Sequence, residues 1–220
     1  MAGVSFTTLE EAARNVKTGM RVMVGGFGLA GVPDQLVYTV RKKTETRDLT
    51  VISNNISVGT QADALFQEGR IKKAIGSYFT TNPSVVQAYR EGRVEIELLP
   101  QGTFAEAIRL GGAGIAAFYT PTAAGTELAI GKEVRMFDGR EHVLERALRA
   151  DVALIHAYKA DRAGNLVYRK SSRNFNPLMA MAADYVIVEV EHLVDVGELA
   201  PDEIVTPFIF IDEVVVAARR

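Results

Sequence analysis

Short apolar runs and amphipathic stretches follow one another along the first half of the chain. The runs, such as Val22–Val24 and Leu49–Ser53, predict buried strands. Between them, apolar residues recur at helical spacing, as at Leu36, Val37 and Val40, which predicts helices with one buried face. This alternation is typical of a largely parallel sheet flanked by helices. The predicted strands are Val22–Val24, Leu49–Ser53, Lys73–Tyr78 and Val94–Leu98, and the predicted helices are Thr7–Val16, Pro33–Lys43, Gln61–Glu68, one opened by Asn82–Pro83, and Thr103–Leu110.

The second half of the chain is less regular and contains one clear hairpin signal. Asp138-Gly139 is a strong turn dipeptide between Glu133–Phe137 and His142–Leu144. The other predicted elements are strands at Asp151–Ala157, Leu166–Tyr168 and Tyr185–Val190, a helix at Pro177–Ala182, and short C-terminal strands at Phe208–Ile211 and Val214–Val216. We therefore expect one α/β domain over residues 1–220, with a largely parallel sheet flanked by helices, a β-hairpin and short C-terminal strands.

Capping residues mark several of the predicted helix starts. Thr7 and Glu10 have the spacing of a capping box, in which each side chain bonds the other residue's backbone N–H. Asn82 is suited to cap a helix with Pro83 in its first turn. Pro33 is equally suited to open the helix that follows the first buried strand, since its missing N–H would have no partner there.

A glycine-rich loop connects the first buried strand to that helix. Glycines remove the side chains that would block a close backbone approach. The loop also directs backbone N–H groups and the positive end of a helix dipole to one place, which suits a phosphate. The residues predicted to contact such a ligand are Gly25, Gly26, Phe27, Gly28, Leu29, Ala30 and Gly31.

The same loop has the glycine spacing of dinucleotide-binding proteins, through Gly26, Gly28 and Gly31. That motif needs an acidic residue near the end of the second strand, about 20 residues on. The second predicted strand here ends in Ser53-Asn54-Asn55, and Asp48 lies at its start. A dinucleotide-binding oxidoreductase and a simple tight turn in a non-catalytic ligand-binding module stay open as alternatives.

Polar amides follow two further predicted strands. Asn54 and Asn55 come directly after Leu49–Ser53, and Gln101 follows Val94–Leu98. Ligands of parallel sheets bind beyond the carboxyl ends of the strands. Side-chain amides at that edge are suited to hydrogen-bond an acyl group or a developing oxyanion, while capping of the following turn is the structural alternative.

Composition narrows the functional classes. The chain has 220 residues, 48% of them hydrophobic, a formal net charge of −2 and no cysteine. This charge gives no sign of a nucleic-acid or anionic membrane partner, and the lack of cysteine excludes disulfides and thiolate chemistry. The N-terminus lacks the basic start and apolar run of a signal peptide, and no apolar stretch has the length of a membrane span. We expect a cytoplasmic, soluble protein.

The histidines and one pair of glutamates are weaker candidates. His142, His156 and His192 are far apart in sequence, so we expect no metal site and structural roles for His142 and His156. Glu189 and Glu191 lie on one side of a predicted strand by alternation, but nothing near them supplies a nucleophile for acid–base chemistry.

A basic loop, Arg169–Phe175, follows the predicted strand Leu166–Tyr168. Its cations are suited to phosphates or to a partner's carboxylates, and a solvated turn is the alternative.

Several ordered segments together resemble the alpha (A-type) subunit of the family I 3-oxoacid CoA-transferases, which include the succinyl-CoA:3-oxoacid and 3-oxoadipate enzymes. The resemblance covers about Phe6 to Val216 and departs from the family around Ile56–Asp63, a segment expected to border the acyl site. It is carried by Val22–Pro33, Ser53–Asn55, Pro100–Gly102, Gly111–Gly114, Phe118–Thr122 and Tyr168–Phe175.

The resemblance implies that CoA, a substrate rather than a cofactor, contacts the glycine loop. It also implies that the nucleophilic glutamate belongs to the beta (B-type) subunit, so that no catalytic nucleophile lies in this chain. Asn54, Asn55 and Gln101 match family positions near the active site and are expected to orient the carboxylate substrate or the acyl oxygens. An αβ pair or its dimer is expected, and the acid substrate stays open.

Overall fold

The computed structural model describes residues 3–217 and contains two β-sheets. The strands are β1 (Ser5–Phe6), β2 (Arg21–Val24), β3 (Leu49–Ile52), β4 (Ile71–Gly76), β5 (Glu95–Leu98), β6 (Ala117–Thr120), β7 (Val134–Phe137), β8 (Arg140–Arg146), β9 (Ala150–Asp161), β10 (Leu166–Val167), β11 (Ala183–Val194) and β12 (Glu213–Val216). The α-helices are α1 (Leu9–Ala13), α2 (Asp34–Lys43), α3 (Gln61–Gln67), α4 (Pro83–Arg90), α5 (Gln101–Gly112) and α6 (Asn176–Met181).

The larger sheet has the order β1-β12-β11-β9-β2-β3-β4-β5, and all neighbours along this path are parallel. Strand β10 pairs antiparallel with β9. The smaller sheet has the order β6-β8-β7 and is antiparallel. The predicted α/β class, the parallel sheet and the hairpin are therefore confirmed.

Two apolar layers cover the two faces of the larger sheet. On one face, side chains of α1 to α4 such as Leu36, Val40 and Phe66 pack on β2, β3 and β4. On the other face, α5 and α6 contribute Phe104 and Met179, which are fully buried. Because both faces are covered, central strands such as β2 and β3 are mostly apolar, whereas the edge strand β5 alternates glutamate with apolar residues.

Strands β9 and β11 are longer than predicted. Val24 of β2 pairs with Leu154, and β9 then continues to Asp161, paired with β11 as far as Val194. The two strands therefore extend past the carboxyl end of β2 and stand beside the loop that follows it.

The structure differs locally from the sequence predictions at several further places. The capping box of α1 is formed by Thr8 and Glu11, not by Thr7 and Glu10. Residues Phe208–Phe210 form a 3-10 helix instead of a strand. Helix α5 begins at Gln101, earlier than the predicted Thr103. None of the helices between residues 3 and 217 has the length and apolar content that crossing a bilayer requires.

Candidate active site

The glycine loop closes on itself in a tight turn. Phe27 N–H donates to Ala30 O and Ala30 N–H donates to Phe27 O, both at 3.0 Å. Gly28 has a φ of +61°, a left-handed conformation that favours glycine. Leu29 at the tip is 74% exposed. The turn is thus internally hydrogen-bonded and presents its tip to solvent.

The glycines of this loop serve different purposes. A Cβ at Gly25 would overlap the side chain of Asn176, and a Cβ at Gly31 would lie 2.5 Å from Ser172 O. A Cβ at Gly28 would meet no atom within 4 Å. Gly25 and Gly31 are therefore required by packing, whereas the space above Gly28 is open to a ligand.

Asn176, which the sequence patterns did not single out, holds the loop in place. Its Nδ2 donates to Gly31 O at 3.0 Å and to Ser172 O at 2.9 Å, while its Oδ1 accepts from His156 N–H at 3.0 Å. The side chain is fully buried. The Asn-Pro dipeptide at the start of α6 was the local signal for a special role.

The three predicted amides lie together at the carboxyl ends of β3, β4 and β5. Gly28 N–H donates to Asn55 Oδ1 at 3.0 Å, and Asn54 Nδ2 donates to the same oxygen at 2.9 Å. Ser77 Oγ lies 2.9 Å from Asn54 Oδ1 and also contacts the side chain of Gln101. We call Gln101, Ser77, Asn54 and Asn55 the amide chain. Ser77 was missed because it lay inside the predicted strand Lys73–Tyr78.

The direction of the hydrogen bonds in the amide chain follows from Gly28. Because its N–H can only donate, the atom of Asn55 that faces it is the carbonyl oxygen, and Asn54 must present Nδ2 to Asn55 and Oδ1 to Ser77. Ser77 Oγ therefore lies within hydrogen-bond distance of two carbonyl oxygens, Asn54 Oδ1 and Gln101 Oε1, and donates its one proton to either of them. The Nε2 group of Gln101, with its two N–H donors, is thus left for a ligand.

The exposure of the amide chain changes along its length. Asn54 is 3% exposed, while Gln101 lies on the surface at the first position of α5. Both ends of the Asn55 side chain are used within the protein, since its Nδ2 donates to Ser57 Oγ. Gln101 is thus the member best placed to meet a ligand, and Asn55 fixes the glycine turn.

The start of α2 is already occupied by a carboxylate of the chain itself. Leu36 N–H, in the first turn of α2, donates to Glu189 Oε2 at 2.7 Å, and Glu189 is buried. This carboxylate lies at the helix end to which the glycine-loop pattern assigns a phosphate, so it competes with a ligand for that position. The predicted contact between CoA and the loop itself stays a prediction.

The other polar candidates lie apart from the amide chain. Glu191 Oε1 lies 3.6 Å from His156 Nε2. Burial lowers the pKa of His156, and the nearby Glu191 opposes this shift. His142 packs edge-on against Phe137 in the smaller sheet, and His192 packs edge-on against Tyr158.

Exposed apolar side chains surround the open part of the site. Phe27 and Leu29 of the glycine turn are 52% and 74% exposed, and Val58 and Tyr78 beside the amide chain are 60% and 52% exposed. An apolar rim around polar groups is typical of a surface that a ligand or a partner covers.

Comparison with known proteins gives concordant results. The family model for coenzyme A transferase matches residues 6–217. The A-type subunit of a probable succinyl-CoA:3-ketoacid coenzyme A transferase of Bacillus subtilis is 46% identical, over 99% of this chain and 92% of the relative. The A-type subunit of a 3-oxoadipate CoA-transferase of Pseudomonas putida is also 46% identical, over 98% of this chain and 94% of the relative. The solved glutaconate coenzyme A-transferase of Acidaminococcus fermentans has the same fold, with a TM-score of 0.85, 21% identity and coverage of 97% of this chain and 76% of that one.

These matches give no support to a dinucleotide-binding oxidoreductase or to a non-catalytic module. The structure provides a physical reason for the first. Strand β3 leads into Asn54 and Asn55, where a dinucleotide site needs a carboxylate for the ribose hydroxyls. Asn55 instead accepts from Gly28 N–H and from Asn54 Nδ2.

Proposed function

Because the chain belongs to the coenzyme A transferase family, we propose that it is the alpha subunit of a heteromeric 3-oxoacid CoA-transferase. With its beta subunit it transfers CoA between an acyl-CoA, such as succinyl-CoA, and a 3-oxo or short-chain carboxylic acid. The observation that carries this proposal is the amide chain, which joins the glycine turn to Gln101. The protein that contains it matches such subunits along nearly its whole length.

The proposed reaction passes through two covalent intermediates. A glutamate from the beta subunit first attacks the acyl carbonyl. The C–S bond breaks, CoA leaves as a thiolate, and a mixed anhydride between the acyl group and the glutamate remains. The thiolate then attacks the glutamyl carbonyl of the anhydride, which forms a glutamyl–CoA thioester and releases the first acid as its carboxylate. The acceptor acid then reverses both steps. A carboxylate is a weak nucleophile, so the site must stabilise the oxyanions and exclude water.

No glutamate of this chain is assigned as the nucleophile. Glu189, the buried member of the pair considered above, holds the start of α2. Glu191 lies beside His156, away from the amide chain. Both contacts support structural roles, so the proposed chemistry depends on the beta subunit.

We assign different roles to the predicted site residues. Gln101 contacts the carboxylate substrate or the acyl oxygen, because it is the exposed end of the amide chain. Asn54 and Asn55 act through it and through Gly28, by keeping the amide and the glycine turn in one orientation. The turn from Gly25 to Gly31 lets the thioester arm of CoA pass over Gly28, where the backbone is unobstructed.

The beta subunit is proposed to cover the apolar rim. In the isolated subunit the amide chain is open to solvent at Gln101, and the apolar side chains around it are exposed as well, namely Phe27, Leu29, Val58 and Tyr78. A partner seated on them would exclude water from the anhydride and bring its glutamate to Gln101. The whole chain is expected to act as one domain in the cytoplasm, and the acid substrate remains to be identified by assay.

The test is co-expression with a cognate beta subunit, followed by an assay of CoA transfer from succinyl-CoA to acetoacetate and to a panel of acids. We expect activity only in the complex, and a loss of about a hundredfold to a thousandfold in kcat for Gln101→Ala, as for removal of one oxyanion donor. Gln87→Ala, at an exposed glutamine of α4 whose side chain bonds Glu91, is the matched control. Activity of this chain alone, or full activity of Gln101→Ala, would refute the assignment.

A further inference from the structure

Several basic residues lie close together in a segment next to the glycine turn, and two of them contact the ring of Tyr158. The Arg169 guanidinium is 5.3 Å and the Lys159 ammonium 5.5 Å from the centroid of this ring. Lys170 and Arg173 follow Arg169 in a short, exposed 3-10 helix. We call Lys159, Arg169, Lys170 and Arg173 the basic cluster. Bringing like charges together costs free energy unless an anion is bound near them.

Within residues 3–217, no member of the basic cluster forms an ion pair with a carboxylate. Neighbouring cations behave differently, since Arg162 bonds Asp195 at 2.7 Å. The nearby carboxylate of Asp161 is used by the backbone N–H groups of Ala163 and Asn165. Among these residues, no carboxylate therefore compensates the positive charge of the cluster.

The segment that contains the cluster is fastened to the glycine turn. Asn174 Nδ2 donates to Ala30 O at 3.0 Å, and Asn176 bridges Gly31 O and Ser172 O. Lys170 has a φ of +53° and Asn174 a φ of +20°, in the left-handed region that non-glycine residues rarely adopt. Such backbone strain persists where the surrounding structure holds it and is concentrated at ligand sites.

The other anion-binding feature next to this turn is already occupied. The first turn of α2 donates a backbone N–H to the Glu189 carboxylate. In the turn itself, backbone N–H groups donate to oxygens of the same chain, namely those of Gly25, Phe27, Gly28 and Ala30. A multiply charged ligand that passes the turn must therefore find its counter-charges elsewhere, and the basic cluster is the adjacent source.

We propose that the basic cluster binds the phosphate groups of the nucleotide end of CoA. This inference rests on the proposed function, in which CoA is the substrate. Arginine and lysine are suited to phosphate oxygens, and several unpaired cations match a polyanion better than they match a single carboxylate.

The order of the strands agrees with a ligand that is polar at one end and highly anionic at the other. The amide chain follows β3, β4 and β5 on one side of β2, and β9, which carries Tyr158 and Lys159, lies on the other side. Neighbouring strands are about 4.8 Å apart, so the two groups are separated by several strand widths. An extended CoA thioester places its acyl group at Gln101, its uncharged arm over Gly28 and its phosphates at Arg169.

The test measures phosphate recognition separately from transfer. Arg169→Gln and Lys159→Gln are compared with Arg140→Gln, an exposed arginine of β8 without an ion pair between residues 3 and 217. Titration calorimetry with adenosine 3′,5′-bisphosphate, on the full chain alone and in complex with the beta subunit, should give an affinity that falls with salt and about tenfold with loss of one charge-assisted contact. Arg169→Lys should recover part of the affinity and shows that the site is folded.

Kinetics of the complex give the second readout. The KM for succinyl-CoA should rise about tenfold in Arg169→Gln, the factor expected for one lost charge-assisted contact. The KM for the succinyl-pantetheine thioester, which has no phosphates, should stay unchanged.

The proposal would be overturned if Arg169→Gln and Lys159→Gln bound the bisphosphate as tightly as Arg140→Gln does. So would unchanged bisphosphate binding with lost co-elution of the beta subunit, which would assign the cluster to a partner's carboxylates. Arg169-dependent bisphosphate binding in a complex without transfer activity would support the site and refute the proposed function.

Discussion

Two polar clusters lie at opposite ends of the parallel strands and differ in how completely they are satisfied. At the amino end of β4, the buried guanidinium of Arg70 donates to the backbone oxygens of Arg41, Thr44 and Thr46 at 2.7, 3.0 and 2.6 Å. These carbonyls include the end of α2 and the turn after it, which lack helical partners. At the carboxyl end, the amide chain stops at the exposed Gln101 and at the open space over Gly28.

This difference gives a criterion for deciding whether a group of buried polar side chains serves stability or function: whether all of its hydrogen-bonding atoms are used within the protein. The Arg70 cluster is closed, because each nitrogen of the buried guanidinium donates to backbone oxygens or threonine hydroxyls of the same chain. The amide chain is open, because its order is fixed from Gly28 and its last member reaches solvent. Closed clusters should therefore govern unfolding, and open ones should govern activity.

The largest expected effect is on the closed cluster. Arg70→Met keeps much of the aliphatic volume but leaves several buried carbonyls without donors, which should lower the free energy of unfolding by about 3 kcal/mol. Urea denaturation of the full chain measures this. The kcat of the folded complex should not change. Arg90→Met, at an exposed arginine of α4, is the control and should leave the urea midpoint in place. A stable but inactive Arg70→Met would break the comparison.

The closed cluster also shows what the sequence did not contain. Arg70 is followed by the predicted strand at Lys73–Tyr78 and carried no signal, because its partners at Arg41, Thr44 and Thr46 are distant in sequence. The strand and helix pattern did predict that the carboxyl ends of β2, β3 and β5 lie at one edge. The spacing of apolar residues along the chain predicts whether most segments are helices or strands. It does not predict which side chains of different elements contact each other.

The errors have local physical causes. Phe208–Phe210 is an apolar run, and periodicity alone does not distinguish a short strand from one helical turn. Thr7 and Thr8 are adjacent candidates for the cap of α1, and Glu11 accepts from both hydroxyls. By contrast, Asp138 and Gly139 have φ values of +49° and +75°, as the predicted hairpin turn requires.

The candidate site was predicted in part. The glycine turn and the three amides were identified because glycines and amides at strand ends are unusual in a packed core. Ser77, which joins Asn54 to Gln101, and Asn176, which holds Gly31, were not, since each lay at the margin of an ordinary predicted element. The basic loop was recognised, and its attachment to the glycine turn through Asn174 became visible only in three dimensions.

A smaller effect on stability, with a clear effect on activity, is expected in the open cluster. Ser77→Ala removes the hydroxyl between Asn54 and Gln101 and should cost about 1 kcal/mol in unfolding free energy. Because Gln101 then loses its fixed orientation, kcat/KM should fall about tenfold, equivalent to roughly 1.4 kcal/mol of transition-state stabilisation. Ser84→Ala, in the first turn of α4, is the control. The comparison would need revision if Ser77→Ala destabilised the protein as much as Arg70→Met.

The smallest expected effect is at Glu11, whose carboxylate accepts several hydrogen bonds but is exposed. It tests whether hydrogen bonds without burial are sufficient to stabilise the fold. Glu11 Oε2 accepts from Thr7 Oγ1, Thr8 Oγ1 and Thr8 N–H, which lower the pKa of this exposed carboxyl to about 2. A folded-state pKa below the unfolded value of about 4.3 means that the stabilisation is present above pH 4.3 and is lost as the pH falls toward 2. The urea midpoint of Glu11→Gln should therefore lie slightly below that of the parent at pH 6, and the gap should narrow between pH 4.5 and 2.5. Glu45→Gln, at an exposed glutamate outside the helices, is the control. A gap that matched the effect of Arg70→Met, or that widened on acidification, would show that hydrogen bonding at the surface counts as much as hydrogen bonding in the closed, buried cluster.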